Sequence, residues 1–224
     1  MSTAVLLSGG LDSAVLLADE AARGETQPIY IGAGLAWESA ERAVLARLLE
    51  SEPFRGQTRA LASLSVDMRD VYAATHWSVT GQAPAYHTPD EDVYLPGRNI
   101  ILLSKAAVFC AAAGVDIGRI VIGTLDHNPF PDATPAFRES IAKTLSLGLA
   151  HMLSVDAPYA ASSKADVIRK GLALGVPFEH TLSCMKPAGG QHCGTCSKCR
   201  ERHDAFFEAG VADPTTYESL QFVK

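Results

Sequence analysis

The chain has 224 residues, 47% of them hydrophobic and 20% charged, with a formal net charge of −6. At about 150 residues per domain this is one globular domain with at most a small appendage, and the composition excludes a disordered chain. The acidic balance argues against a broad basic face for nucleic acid, and no apolar run reaches the ~18 residues of a membrane span. Neither a nucleic-acid nor a membrane partner is expected. The apolar run at 4–7 lacks a preceding basic segment and is too short for a secretory signal, so a cytoplasmic location is expected.

In chain order, residues 4–7 read as a buried strand that stops at Ser8-Gly9-Gly10. A helix follows, with Ala14, Val15, Leu17, Ala18 and Ala21 at helical spacing. Residues 28–31 are a second strand. Residues 38–50 are an amphipathic helix, with Val44/Leu48 and Leu45/Leu49 as i,i+4 pairs. Residues 58–61 read as a third strand. Residues 63–97 are less regular and rich in Pro, Gly, Tyr, His and Trp. They are read either as a lid over a site or as a surface excursion with its own small core. An apolar helix over 99–113 is stopped by Gly114. A strand at 119–122 ends at Gly123, and a Pro-rich loop covers 124–135. A helix over 135–150, a strand at 153–155 and a helix capped by Ser162 or Ser163, running to 174 and stopped by Gly175, complete the pattern.

Helices alternating with short apolar strands specify an α/β fold, a parallel sheet with helices on both faces. The expected organisation is an α/β domain over 1–175 followed by a small C-terminal subdomain over 176–224. Ligands of such sheets gather beyond the carboxyl ends of the strands. The loops at 8–13, 32–37 and 123–134 are therefore expected to converge on one site.

Two motifs carry chemistry. Ser8-Gly9-Gly10-Leu11-Asp12-Ser13 lies between a strand and a helix, where free N–H groups at the helix start form an anion nest. Ser8 and Ser13 offer hydroxyl donors to phosphate. Asp12 would meet phosphate with repulsion, so it is read as holding Mg²⁺ or locking the loop. No Gly-Lys-Ser/Thr follows, so this is not a Walker A turn. The second motif is Cys184-x8-Cys193-x2-Cys196-x2-Cys199. Four thiolates at this spacing suit a closed, structural Zn²⁺ site, with Gly189, Gly190 and Gly194 allowing the turns around it; a redox CxxC pair is the weaker alternative. His192 and His203 are read as rim residues rather than ligands. Arg98 opens the long apolar helix after Gly97, where a guanidinium could bridge phosphate or carboxylate bidentately. Lys164 lies at a helix N-terminus, where the dipole disfavours a cation, which suggests a bound anion. Cys110 lies in an apolar helix, which disfavours a sulfur-transferring thiol.

The SGGLDS string resembles the PP-loop of the ATP pyrophosphatase superfamily. Together with the cysteine motif, Leu95-Pro96-Gly97-Arg98-Asn99, Phe130-Pro131-Asp132, Ser163-Lys164-Ala165 and Thr181-Leu182-Ser183-Cys184, the chain resembles the 7-cyano-7-deazaguanine synthase (QueC) family over nearly its whole length. The resemblance implies an ATP-dependent ligase that adenylates 7-carboxy-7-deazaguanine and brings in ammonia to give the nitrile. It implies ATP and Mg²⁺ at Ser8, Gly9, Gly10, Leu11, Asp12, Ser13 and Lys164, with Asp12, Arg98 and Lys164 in catalysis. Substrate would rest against Arg98, Phe130 and Asp132, with Asp132 accepting from the ring N–H and exocyclic amine of the base. Zn²⁺ would be held by Cys184, Cys193, Cys196 and Cys199. A homodimer is expected, and ammonia comes free or from a partner, since no glutaminase segment fits. Asp126 and His127 are further candidates for metal or ammonia contacts. The Gln-Arg-His run usual in the family is replaced by Gly32-Ala33-Gly34-Leu35-Ala36-Trp37, and the stretch around 128–134 is shortened. These departures keep open a paralogue that adenylates another carboxylate or joins the deazaguanine acid to another amine.

Overall fold

The structure, a computed structural model, describes residues 2–112 and 116–219. Five strands, β1 (Ser2–Leu6), β2 (Thr26–Gly32), β3 (Ala62–Ser65), β4 (Ile117–Val121) and β5 (Ser154–Asp156), form one sheet in the order β3-β2-β1-β4-β5. Every pairing is parallel. Among the described residues seven α-helices accompany them: α1 (Leu11–Ala21), α2 (Glu38–Glu50), α3 (Trp77–Thr80), α4 (Arg98–Ala112), α5 (Pro135–Leu149), α6 (Lys164–Ala173) and α7 (Ser197–Ala209).

Alternation along the strands divides the core between the two faces. Val5, Tyr30 and Val121 face one way and pack with residues of α1, α2, α6 and α7, including Val15, Leu48, Ile168 and Phe206. Ala4, Ile29 and Ile120 face the other way and pack with Leu103, Ala107 and Cys110 of α4 and Ile141 of α5. The expected α/β architecture is thus observed. Because β2 and β4 flank β1 on opposite sides, the winding reverses at β1/β4. That reversal opens a crevice at the strands' carboxyl ends, where ligands of such sheets bind.

The third strand lies at Ala62–Ser65 rather than at 58–61. Its ladder with β2 begins at Ile29↔Ala62. Residues 59 and 60 instead hydrogen-bond to the start of β2, through Arg59 N–H to Thr26 O and Gln27 Nε2–H to Ala60 O. The proposed stop at Gly114 lies outside the described residues. Ser163, not Ser162, caps α6: its Oγ accepts from Asp166 N–H while the Asp166 carboxylate accepts from Ser163, a reciprocal capping box. Helix α7 was not anticipated from the sequence.

The irregular excursion has no core of its own but shares one with the cysteine segment, and its last residues reach the crevice. Met68, Tyr72, Val93 and Leu95 share a core with Trp37, Leu182 and the four clustered cysteines. Val93, Tyr94 and Leu95 also wall the crevice.

Candidate active site and metal centre

One cleft lies at the winding reversal, lined by Ser8, Gly10, Asp12 and Ser13 from the first turn and by Gly123, Thr124, Asn128, Phe130 and Asp132 from the loop after β4. Two of the three expected loops therefore meet. The third, 32–37, is absent from the cleft lining: Ala33, Leu35 and Trp37 are buried in the core around the cysteines instead. From that side of the sheet the cleft receives Tyr30, Ile31 and Glu41.

The first turn has the geometry that could receive an anion. Gly9 has φ +81°, a left-handed conformation that glycine adopts without strain. Gly10 opens α1 with no side chain capping its amides, so the helix presents free N–H groups and the positive end of its dipole. Ser13 Oγ–H donates to Gly10 O at 3.0 Å, and the Ser8 and Ser13 hydroxyls lie 3.3 Å apart.

Asp12 Oδ2 lies 3.4 Å from Lys164 Nζ. Its Oδ1 is buried without a hydrogen-bond partner. Burial raises the Asp12 carboxyl above its usual range, and the Lys164 ammonium opposes that rise. A partly exposed carboxylate with one shielded, unpartnered oxygen beside this turn fits a hard, oxygen-seeking cation such as Mg²⁺.

Lys164 is not left as an uncompensated cation at a helix start. It also pairs with Glu201 of α7, which binds Lys198 Nζ at 2.6 Å, and Lys198 lies 3.3 Å from Asp90 of the excursion. The dipole's disfavour is offset by two carboxylates of the chain itself, which removes the inference of a bound anion drawn from dipole alone. Burial works against the Lys164 charge, but Asp12 and Glu201 outweigh it and hold the ammonium protonated above its ordinary range.

On the opposite wall, Glu41 is buried and lines the cleft. Its Oε2 accepts from Tyr30 Oη–H at 2.9 Å and its Oε1 from Trp37 Nε1–H at 3.1 Å. Burial lifts its carboxyl to about 7, with the Arg98 guanidinium pulling the other way. Arg98 lines the same cleft, and its Nε is buried without a partner. Sequence reasoning passed over Glu41. The available signal was an acid at 41 on the stripe of α2 that buries Val44, Leu45 and Leu48.

Phe130 stacks on Tyr94 with ring centroids 5.1 Å apart. Asp132 is buried, and its Oδ2 accepts from Asn99 N–H at 3.0 Å, tying the loop to the start of α4. Asp126 and His127 point elsewhere. They pair with each other at 3.1 Å, and the His127 side chain is 94% exposed.

The four clustered cysteines are buried, with their sulfur atoms all within 4.8 Å of one another. Backbone N–H groups aim at them: Lys186 and Cys193 donate to Cys184 Sγ at 3.3 Å, and Thr195 to Cys193 Sγ at 3.4 Å. Such donors stabilise thiolate charge, and the group could hold a metal ion. His192 is not a rim residue: it is 5% exposed, and its Nε2 accepts from Ser183 N–H at 3.0 Å. Burial keeps its imidazole neutral, with a pKa near 3. Cys110 is buried in the α4 face of the core, where burial pushes its thiol up to about 11.

Fold and site together define a parallel α/β protein with a glycine turn lining a cleft at the sheet's winding reversal and a cluster of four thiols that could hold a metal ion. The chain belongs to the QueC family: the family model described as Queuosine biosynthesis protein QueC matches residues 2–210. It is 33% identical over 230 residues to a 7-cyano-7-deazaguanine synthase of Methanosphaerula palustris, covering 97% of this chain and 100% of that one. It is 34% identical over 230 residues to 7-cyano-7-deazaguanine synthase 1 of Mesorhizobium japonicum, covering 99% and 96%. Among solved structures, a predicted subunit of tRNA methyltransferase from Methanocaldococcus jannaschii aligns with TM-score 0.47 and 16% identity, covering 95% of this chain and 89% of that one. No helix among the described residues is long and apolar enough to cross a membrane.

Proposed function

We propose that the protein is an ATP-dependent ligase that adenylates 7-carboxy-7-deazaguanine, condenses the acyl adenylate with ammonia to the amide with loss of AMP, and activates the amide oxygen with a second ATP so that it leaves on AMP to give 7-cyano-7-deazaguanine. The observation that carries this reading is that one cleft is lined at once by the Ser8–Ser13 nest and by Arg98, Phe130 and Asp132.

A carboxylate is a poor electrophile, and attaching AMP to it creates a leaving group. The nest and the α1 N-terminus receive the departing pyrophosphate, where fixed N–H dipoles stabilise charge without reorganising. Lys164, kept protonated by Asp12 and Glu201, adds positive potential beside them. Mg²⁺, held at Asp12, would supply charge neutralisation at the phosphates. Asp132 retains acceptor capacity on both oxygens beyond the Asn99 bond and reads the N–H edge of the base. Phe130, braced by Tyr94, offers a stacking face. Arg98 holds the acyl carboxylate. Cys184, Cys193, Cys196 and Cys199 would hold a structural Zn²⁺ with its shell filled by protein and no open position for substrate.

The test is pyrophosphate release from ATP, with and without 7-carboxy-7-deazaguanine and with and without ammonia. Release that requires the acid, with nitrile formed only when ammonia is present, is expected. Release indifferent to the acid would remove this substrate.

A further inference from the structure

Glu41 has no role in the function just described, yet the fold commits several groups to it. It is 8% exposed and lines the cleft. Tyr30 of β2 and Trp37 of the turn before α2 each give one of its oxygens a hydrogen bond. Arg98 of α4 supplies the opposing charge, and Glu38, one turn earlier on α2, supplies a like charge. With one neutral donor on each oxygen, the carboxylate keeps lone pairs for a further donor. A buried acid held this way is costly unless used, since burial disfavours its charge.

The geometry points to Glu41 as the proton acceptor for the nitrogen nucleophile, ammonia or a primary amine, in the cleft beside Arg98. The inference rests on the adenylation reading above. If Arg98 holds the acyl group, the nucleophile must approach next to Arg98, and Glu41 lines the same cleft with acceptor capacity to spare on both oxygens. In the step, the lone pair of the neutral nitrogen forms the C–N bond at the acyl carbon. The nitrogen becomes positive and acidic, and Glu41 takes its proton. The C–O bond to AMP then breaks, and its electron pair leaves on the AMP phosphate oxygen. A carboxyl poised at about 7 is suited to this exchange near neutral pH.

The experiment separates the two half-reactions. Adenylation is read as acid-dependent exchange of labelled pyrophosphate into ATP, and nitrogen transfer as amide formation from ammonia. In E41Q the ratio of transfer to exchange should fall about 100-fold, the range of general-base contributions. Hydroxylamine, a nucleophile that loses its proton readily, should restore acyl transfer in E41Q as the hydroxamate. Transfer and exchange falling together, or no rescue by hydroxylamine, overturns the assignment. Should E41Q fail to fold, the wild-type pH profile decides. At constant free-base nucleophile, transfer should fall as pH drops through about 7 while exchange does not, and a flat transfer profile overturns the assignment. Absence of acid-dependent exchange in the wild type would instead sink the adenylation reading on which the inference rests.

Discussion

Leu182 donates its backbone N–H to Gly9 O at 2.8 Å, so the segment leading into Cys184 is bonded directly to the glycine turn of the cleft. The thiol centre and the cleft are therefore mechanically joined. Arg202 of α7 reinforces the junction: buried at 1% exposure, it donates to Thr181 Oγ1 at 2.9 Å and to Phe178 O at 2.9 Å.

Metal loss should consequently be felt at the turn. Protein purified without added zinc should carry one Zn²⁺ per chain, and Cys196→Ser should lower the melting temperature, because metal binding energy is folding energy here. Chelation should reduce pyrophosphate release along with stability. Full activity in metal-free protein would break the link between centre and cleft.

Asp12→Asn and Lys164→Ala should both abolish pyrophosphate release, but they should differ in stability. Asp12→Asn leaves Lys164 paired with Glu201 and should melt near the wild type. Lys164→Ala strips a cation from between Asp12 and Glu201. Breaking a buried pair by removing one partner costs about 3–5 kcal/mol, and partial exposure here reduces that. Thermal melts of the two variants beside their release assays make the comparison.

Asp132→Ala should weaken 7-carboxy-7-deazaguanine binding at least about tenfold, which takes only ~1.4 kcal/mol, while sparing ATP binding. The same change removes the acceptor of Asn99 N–H at the start of α4, a helix-start contact typically worth about 1 kcal/mol. Calorimetric titration with each ligand, alongside a melt, reads both effects. Equal acid binding by wild type and variant would exclude Asp132 from the base edge.

Glu41 predicts a pH signature in stability. Its folded pKa is raised from 4.5 to about 7, so between those values the native state binds more protons than the unfolded state and stability falls as pH rises. The loss is complete above about 7 and has an upper bound on the order of 3 kcal/mol at 1.36 kcal/mol per unit. E41Q cannot titrate, so its stability relative to wild type should increase from pH 4.5 to 7. Parallel denaturation curves at several pH values would show it, and a constant difference would contradict the burial argument.

Gly171 sits where α6 meets α1. A Cβ there would lie 2.5 Å from Phe178 Cζ and 2.6 Å from Val15 Cγ2. Gly171→Ala should destabilise by about 1–3 kcal/mol, as overpacking does, with little change in cleft chemistry. Urea titration tests this, and a neutral result would mean that Phe178 yields freely.

The sequence by itself determined the parts of this protein whose chemistry is written in consecutive residues. The glycine turn Ser8–Ser13, the four-cysteine spacing and the alternation of strands and helices each rest on short-range rules of backbone freedom, ligand spacing and hydrophobic period. They predicted the fold and located the turn and the thiol centre. Tertiary structure decided what depends on elements distant along the chain. The loop at 32–37 turns into the cysteine core because Ala33, Leu35 and Trp37 find apolar neighbours there, leaving Tyr30 and Glu41 to wall the cleft. His192 becomes buried because Ser183 N–H and Tyr217 meet it. Lys164 was legible as a cation at a helix start, but its carboxylate partners come from α1 and α7, the latter 37 residues onward. Charge pairing depends on distance in space, and the backbone path that brings Glu201 to Lys164 is fixed only when Phe178 and Phe206 pack with α1 and α6 in one core.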